Sequence, residues 1–264
     1  MKLSLITINY NDASGLEKTI LSVLTQKNLK PESFEYIIVD GASRDGSLEI
    51  IKKYADSSEY PQKISKWISE KDTGIYNAIN KGIKLATGDI IGLLNSGDTA
   101  LPDAYDEVLD YHSKNPDAII YGGMNMCRNG VFENVYSFSA EDLGKQMISH
   151  PGSFVPKTVY EKYGCYDEKL RSSADWDLYI HFKKQGVPFI YTSKIYLDFD
   201  MGGISNSNVK LVIKEDNYIK RKYKLITKKQ KLMKLYSILN LFIPGIIILP
   251  FKKIAKMLFR NKIN

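Results

Sequence analysis

The chain has 264 residues, 44% of them apolar and 25% charged, the composition of a folded protein with a sizeable buried core rather than a disordered or fibrous one. Its net charge of +7 is uneven: residues 209–264 hold 15 Lys and Arg against Glu215 and Asp216, a net of +13, which leaves −6 on residues 1–208. A mildly acidic body argues against nucleic acid as a partner. Cys127 and Cys165, with no CxxC spacing, make neither a zinc motif nor a disulfide framework and point to a reducing compartment.

The opening MKLSLITINYND has no long apolar stretch before its polar residues, so no signal peptide is expected there. Leu3 to Ile8 reads as a strand and Asn9 to Ser14 as a polar loop. Gly15 to Gln26 has helical spacing at Leu16, Ile20, Val23 and Leu24. Glu35 to Val39 is a second strand, Leu48 to Tyr54 a helix and Ile64 to Ser69 a third strand. Ile75 to Ala86 is a helix that Gly88 is expected to stop. Ile90 to Leu94 is a fourth strand with little alternation, as when both faces are buried. Further on, Pro102 to Tyr111 and Ala174 to Gln185 read as helices, the latter entered through Ser172 and Ser173. Ala118 to Tyr121 reads as a strand, His150 to Tyr166 as loop and helix, and Phe189 to Asp200 as one or two strands.

Strands alternating with helices imply an α/β fold with a mostly parallel, helix-covered sheet, in which ligands bind beyond the carboxyl ends of the strands. Four polar clusters stand at such ends: Asn9-Tyr10-Asn11, Asp40-Gly41, Glu70-Lys71-Asp72 and Asn95 to Asp98. Their convergence points to a site. The chain has no GxGxxG after the first strand and no GxxxxGK[ST], which disfavours dinucleotide and P-loop phosphate sites. A divalent metal held by carboxylates is another way to neutralise phosphate. Asp98 in N-S-G-D is open to two readings, a residue that suits a turn or a cation ligand held at a strand end.

The motifs SLITINYND, IIVDGASRDGS, SEKDTGIYNAINKGIKLATGD, IIGLLNSGD and SSADWDLYIHF, in that order, resemble the inverting nucleotide-sugar glycosyltransferases of family 2. The likeness runs from the first strand to about residue 205 and implies the Rossmann-like GT-A fold. It also implies a nucleotide-diphosphate donor, such as a UDP-sugar, and a glycan or lipid-linked acceptor. On that resemblance Asp40 would contact the uracil or ribose, with Thr7, Asn9, Tyr10 and Asn11 beside it. Asp72 and Asn80 would shape the nucleotide pocket with Asn95, and Asp98 would bind Mn²⁺ or Mg²⁺ against the diphosphate. Asp175 would be the general base and Trp176 would line the acceptor site. His150, in SHPGSF, is a candidate second metal ligand or phosphate contact, or a structural residue. The chain departs from many relatives in having Gly41 after Asp40, where they carry a second Asp, and Gly97 before Asp98, where they carry another. A non-catalytic nucleotide-sugar-binding scaffold is the alternative of a different class; a sugar-phosphate nucleotidyltransferase would want a Gly-rich loop that TINYND lacks.

The domain expectation is a transferase body over 1–208, its halves 1–100 and 101–208 serving donor and acceptor, followed by a basic and apolar tail over 209–264. Within the tail, Leu235 to Phe251 has 17 residues and no charge, broken by Pro244-Gly245, and basic residues flank both ends. That is short for a span of about 20 residues and suits an interfacial or shallow re-entrant anchor on anionic lipid, the alternative being an apolar cover over a patch of the body. The expected location is the cytoplasmic face of a membrane, bound peripherally.

Overall fold

The computed structural model describes residues 1–202 and 209–225; the apolar run Leu235 to Phe251 lies outside the described residues. The first hundred residues form β1 (Leu3–Asn9), α1 (Ala13–Leu24), β2 (Phe34–Asp40), α2 (Ser47–Ala55), β3 (Ile64–Ser69), α3 (Ile75–Leu85), β4 (Ile90–Leu93) and the short β5 (Thr99–Ala100). They are followed by α4 (Val108–Lys114), β6 (Ile119–Arg128), β7 (Val131–Tyr136), β8 (Ser153–Pro156), α5 (Lys157–Tyr163), α6 (Ala174–Lys184), β9 (Phe189–Asp200) and α7 (Val209–Lys222).

The strands form a sheet in the order β3-β2-β1-β4-β8-β6-β9-β5, with β7 on β6. The β3-β2-β1-β4 half is parallel, so the carboxyl ends of its strands share one edge. β8 enters antiparallel to β4 and to β6, and β6 and β9 run parallel. All seven residues of β1 and of β2 are buried, including the polar Ser4, Thr7, Asn9, Glu35 and Asp40, which pair with hydrogen-bond partners in the interior. Each fully buried Leu or Ile there contributes about 1.5–3 kcal/mol. The core is built around Leu3, Leu5, Leu16, Ile20, Tyr36 and Ile38, joined by Phe154 and Tyr196 from the second half.

Several expectations change. The helix expected over Pro102 to Tyr111 begins only at Val108, because Asp103 has a positive φ of 53° that a helix cannot contain. The strand at Ala118 to Tyr121 extends to Arg128, paired with β7, β8 and β9. Phe189 to Asp200 is a single strand. Gly88 is not the cap of α3, whose last turn closes at Ala86. Gly88 is glycine because a Cβ would stand 2.6 Å from the Lys2 carbonyl, where the chain turns into β4.

The chain divides into two units, Met1–Ile219 and Lys220–Asn264. Residues 209–219, grouped with the tail on sequence, therefore pack with the body. No helix among the described residues is long and apolar enough to cross a membrane.

Candidate active site

The parallel strands deliver the four polar clusters to one edge, as their register requires: Asn9 lies beside Asp40, and Asp40 beside Ser69. Here a cleft of about 410 Å³ is lined by Tyr10, Asn11, Gly41, Ala42, Arg44, Lys71 and Asp72. The Tyr10 ring is 60% exposed at its mouth. Asn11 is held by its N–H donating to Ser43 Oγ at 2.8 Å and its Oδ1 accepting from the Arg44 N–H at 2.9 Å. A Cβ at Gly41 would stand 2.5 Å from Asp72 Oδ2 and 3.0 Å from the Tyr10 ring, so the Asp72 carboxylate occupies the space beside this glycine.

Asp40 does not face the cleft with a free oxygen. It is fully buried and accepts from Asn9 Nδ2, Ser43 Oγ, the Ser43 N–H and Ser69 Oγ at 2.5–3.0 Å. Burial would raise its pKa, but these hydrogen bonds outweigh burial and hold it below the usual carboxylate value. With four acceptor positions filled, Asp40 ties the ends of β1, β2 and β3 together beneath the cleft. Thr7 is also removed from the cleft, being fully buried with its hydroxyl 3.0 Å from Tyr36 Oη. Asn9 keeps a buried Oδ1 without a hydrogen-bond partner.

The turn after β4 carries the chain to β5, which pairs with the end of β9, Thr99 opposite Asp198. Asp98 is 3% exposed, and its Oδ1 accepts from the Asp200 N–H at 3.0 Å. Burial pushes its carboxyl up to about 8, the hydrogen bond from Asp200 opposes this, and the Asp200 and Asp12 carboxylates add to it. Asp98 Oδ2 and Asn95 Oδ1, from the same turn, are buried without hydrogen-bond partners among the described residues. Two orphaned hard oxygens amid uncompensated negative charge suit a divalent cation in chemistry. Among the described residues no three His, Cys, Asp or Glu are grouped to hold one unaided, so ligands from a bound diphosphate would have to complete the shell.

The second half of the site lies around Asp175, in the first turn of α6. Tyr76, at the start of α3, donates its hydroxyl to Asp175 Oδ1 at 3.1 Å. Burial and the Asp175 charge raise the Tyr76 pKa well above its ordinary value, so it stays a donor. Tyr76 stacks on Tyr166, with ring centroids 5.5 Å apart, and Tyr166 Oη lies 2.7 Å from His150 Nε2. Burial lowers the His150 pKa and Asp175 opposes the shift. His150, a candidate metal ligand on sequence, thus stands in the tyrosine cluster around Asp175.

Two other sequence-derived candidates hold the halves together. Asn80 donates to the Tyr166 carbonyl and to Glu168 Oε1, both at 2.9 Å, and accepts from the Tyr166 N–H at 3.1 Å. It locks α3 to the loop before α6 and does not line the cleft. Trp176 is 5% exposed and donates its indole N–H to the Leu143 carbonyl at 2.7 Å, a core anchor rather than an open acceptor platform. Arg171 joins the same seam by donating Nη1 to the Thr73 carbonyl. Sequence reasoning missed Tyr76 and Arg171, although Tyr76 lies in the motif GIYNAIN and an aromatic with a polar tip at a helix start invites a partner.

Residues 4–167 match the family described as Glycosyl transferase family 2. An uncharacterized glycosyltransferase of Mycobacterium tuberculosis is 29% identical over 212 residues, 77% of this chain and 76% of that protein. A PGL/p-HBAD biosynthesis glycosyltransferase of Mycobacterium bovis is 30% identical over 183 residues, covering 67% and 69%. Chondroitin synthase of Escherichia coli is 29% identical over 217 residues, 80% of this chain but 30% of the synthase. In structure the chain is similar to residues 1–349 of Staphylococcus aureus TarS, solved also with UDP and with UDP-GlcNAc. The TM-score is 0.61 at 18% identity, and the match covers 76% of this chain and 60% of that 1–349 segment. That likeness is one of fold, the GT-A arrangement expected from the sequence.

Proposed function

Because the chain belongs to glycosyl transferase family 2 and is a glycosyltransferase, we propose that it moves a sugar, with inversion, from a UDP-sugar to a hydroxyl of a glycan. The observation that carries this reading is the hydrogen bond from Tyr76, on the helix that follows the donor loop, to Asp175 on α6. Tyr76 follows Lys71 and Asp72 of the cleft closely in sequence, and on this reading Asp175 serves the acceptor. The Tyr10 ring suits the face of a nucleobase, and Asn11 and Asp72 suit the polar edges of uracil and ribose. Arg44 and Lys71 bring positive charge to the cleft that a diphosphate would use.

In the reaction, the Asp175 carboxylate takes the proton of the acceptor hydroxyl as its oxygen bonds to the anomeric carbon. The bond from that carbon to the diphosphate oxygen breaks on the opposite face, and UDP leaves with the electron pair. General-base assistance of this kind contributes about 10²–10⁴-fold. Asp98 and Asn95 would hold a Mn²⁺ or Mg²⁺ ion, which when bound would neutralise charge on the leaving diphosphate. The basic and apolar composition of residues 226–264 supports a lipid-linked acceptor, met at the cytoplasmic face of a membrane. The relatives named chondroitin synthase and PGL/p-HBAD biosynthesis glycosyltransferase support a place in biosynthetic glycosylation.

The test is UDP release from a panel of UDP-sugars, with and without Mn²⁺, by the wild-type protein and Asp175→Asn. Turnover at least 100-fold lower in the variant, with UDP binding retained, is expected. Equal turnover in the two proteins would remove Asp175 as the base.

A further inference from the structure

Glu215 on α7 is 6% exposed, and its carboxylate accepts three successive backbone N–H groups. Oε1 accepts from Arg171 at 2.8 Å, and Oε2 accepts from Ser172 and Ser173 at 2.9 Å each. These are the residues through which the chain enters α6, and Asp175 follows two positions later. Ser173, expected to cap α6, makes no such bond; its hydroxyl donates instead to Asp216 Oδ1 at 3.1 Å. The entry to α6 is therefore organised by a carboxylate more than 40 residues further along the chain. The same turn carries Arg171, whose guanidinium reaches the Thr73 carbonyl in the donor loop.

We propose that Glu215 is a positioning residue for the transfer reaction, holding the 171–173 turn so that Asp175 meets Tyr76 and the acceptor hydroxyl. This rests on the reading of Asp175 as the base. A carboxylate receiving several backbone N–H groups is a strong, charge-assisted clamp, and displacement of a catalytic group by about an ångström can cost 100-fold in rate. Gln at this position keeps the shape but turns one acceptor into an NH₂ that opposes a backbone N–H. The first turn of α6 then shifts without a cavity being made. Residues 209–219 are on this view part of the catalytic apparatus, with Glu215 and Asp216 both bonded to the 171–173 turn.

The experiment uses the full chain and compares wild type, Glu215→Gln, Asp175→Asn and the double variant. UDP release from the best donor of the panel gives kcat and KM, titration with UDP gives Kd, and thermal unfolding reports folding. Glu215→Gln should lower kcat at least tenfold while KM and the UDP Kd stay within about twofold and the protein remains folded at the assay temperature. The double variant should be no slower than Asp175→Asn, because a residue acting through Asp175 has nothing left to position. A kcat within twofold of wild type in folded Glu215→Gln overturns the proposal, and so does a multiplicative loss in the double variant. Equal loss of UDP binding would also overturn it, by placing the effect in the donor cleft. Wild-type turnover in Asp175→Asn would instead overturn the base assignment itself. Should Glu215→Gln not fold, Asp216→Asn and Ser173→Ala, which perturb the same turn from its neighbouring contact, replace it with the same criteria.

Discussion

The Tyr76 hydroxyl lies 3.1 Å from Asp175 Oδ1, joining residues 99 positions apart in sequence. Tyr76 is the second residue of α3, and Asp175 sits in the first turn of α6, the helix proposed to face the acceptor. The contact is reinforced from both sides, by the stacking of Tyr76 on Tyr166 and by Asn80 gripping the Tyr166 backbone. α3 and α6 are thus coupled through side chains that are themselves held.

Removing only the hydroxyl tests that coupling. Tyr76→Phe preserves the ring and its stacking but deletes a hydrogen bond to a carboxylate, an interaction of about 1.5–3 kcal/mol. The expected result is a fall in kcat of about tenfold or more with an unchanged Kd for UDP. Unchanged kcat, measured by UDP release, would make the contact incidental to catalysis.

Asp98 carries a second prediction. Its carboxyl is pushed up to about 8 by burial, and its Oδ2 and Asn95 Oδ1 have no hydrogen-bond partner among the described residues. A divalent ion would relieve that arrangement, whereas Asn in place of Asp removes the charge that attracts it. Asp98→Asn should lose the stimulation of turnover by Mn²⁺, while its melting temperature in EDTA at pH 8 is equal to or above that of wild type. Stimulation that survives the substitution would relocate the metal.

The opposite end of β2 predicts an acid-stability profile. Burial would raise the Glu35 pKa, but hydrogen bonds from Ser4 Oγ, the Thr87 N–H and hydroxyl, and Lys66 outweigh it and hold the carboxyl at about 2, below its ordinary 4.5. A depressed folded-state pKa stabilises the fold fully above the unfolded value. The contribution is lost as pH falls from about 4.5 towards 2, roughly 3 kcal/mol in all. Urea unfolding at pH 5.5, 4.5 and 3.5 should show wild type losing stability more steeply than Glu35→Gln. Parallel curves for the two proteins would contradict the assignment.

The parallel half of the fold was legible in the sequence because its strands alternate with segments of helical spacing, and their polar ends mark one edge. The antiparallel additions were not. The β8 strand is four residues inside SHPGSFVP, too short for any period, and β7 is almost wholly exposed. At the site, residue types were easier to read than orientations. Asp40 and Thr7 stand at the right strand ends, yet their side chains turn into hydrogen bonds beneath the cleft. Asn80, assigned to the nucleotide pocket on the resemblance, instead grips the loop at Tyr166, which no local pattern shows. Glu215 was counted only as one of two acids in a basic segment, since nothing nearby in sequence announces partners more than 40 residues away.

Gly41 gives the last prediction. Many relatives suggested by the sequence resemblance carry a second Asp after the one at the end of β2, and this chain has glycine. A Cβ there would stand 2.5 Å from Asp72 Oδ2, and the Asp72 carboxylate is fixed by the Gly74 N–H, which donates to its Oδ1 at 2.9 Å. One carboxylate has room beside the cleft, and in this chain it comes from the loop after β3. Gly41→Asp should therefore weaken UDP binding at least tenfold, through overlap and through repulsion between two acids. Asp72→Gly should also weaken it, by removing the polar contact. The double variant Gly41→Asp/Asp72→Gly returns one carboxylate to the same space and should bind UDP more tightly than either single variant, as measured by calorimetric titration. Strictly additive losses would mean that the two positions do not share a role.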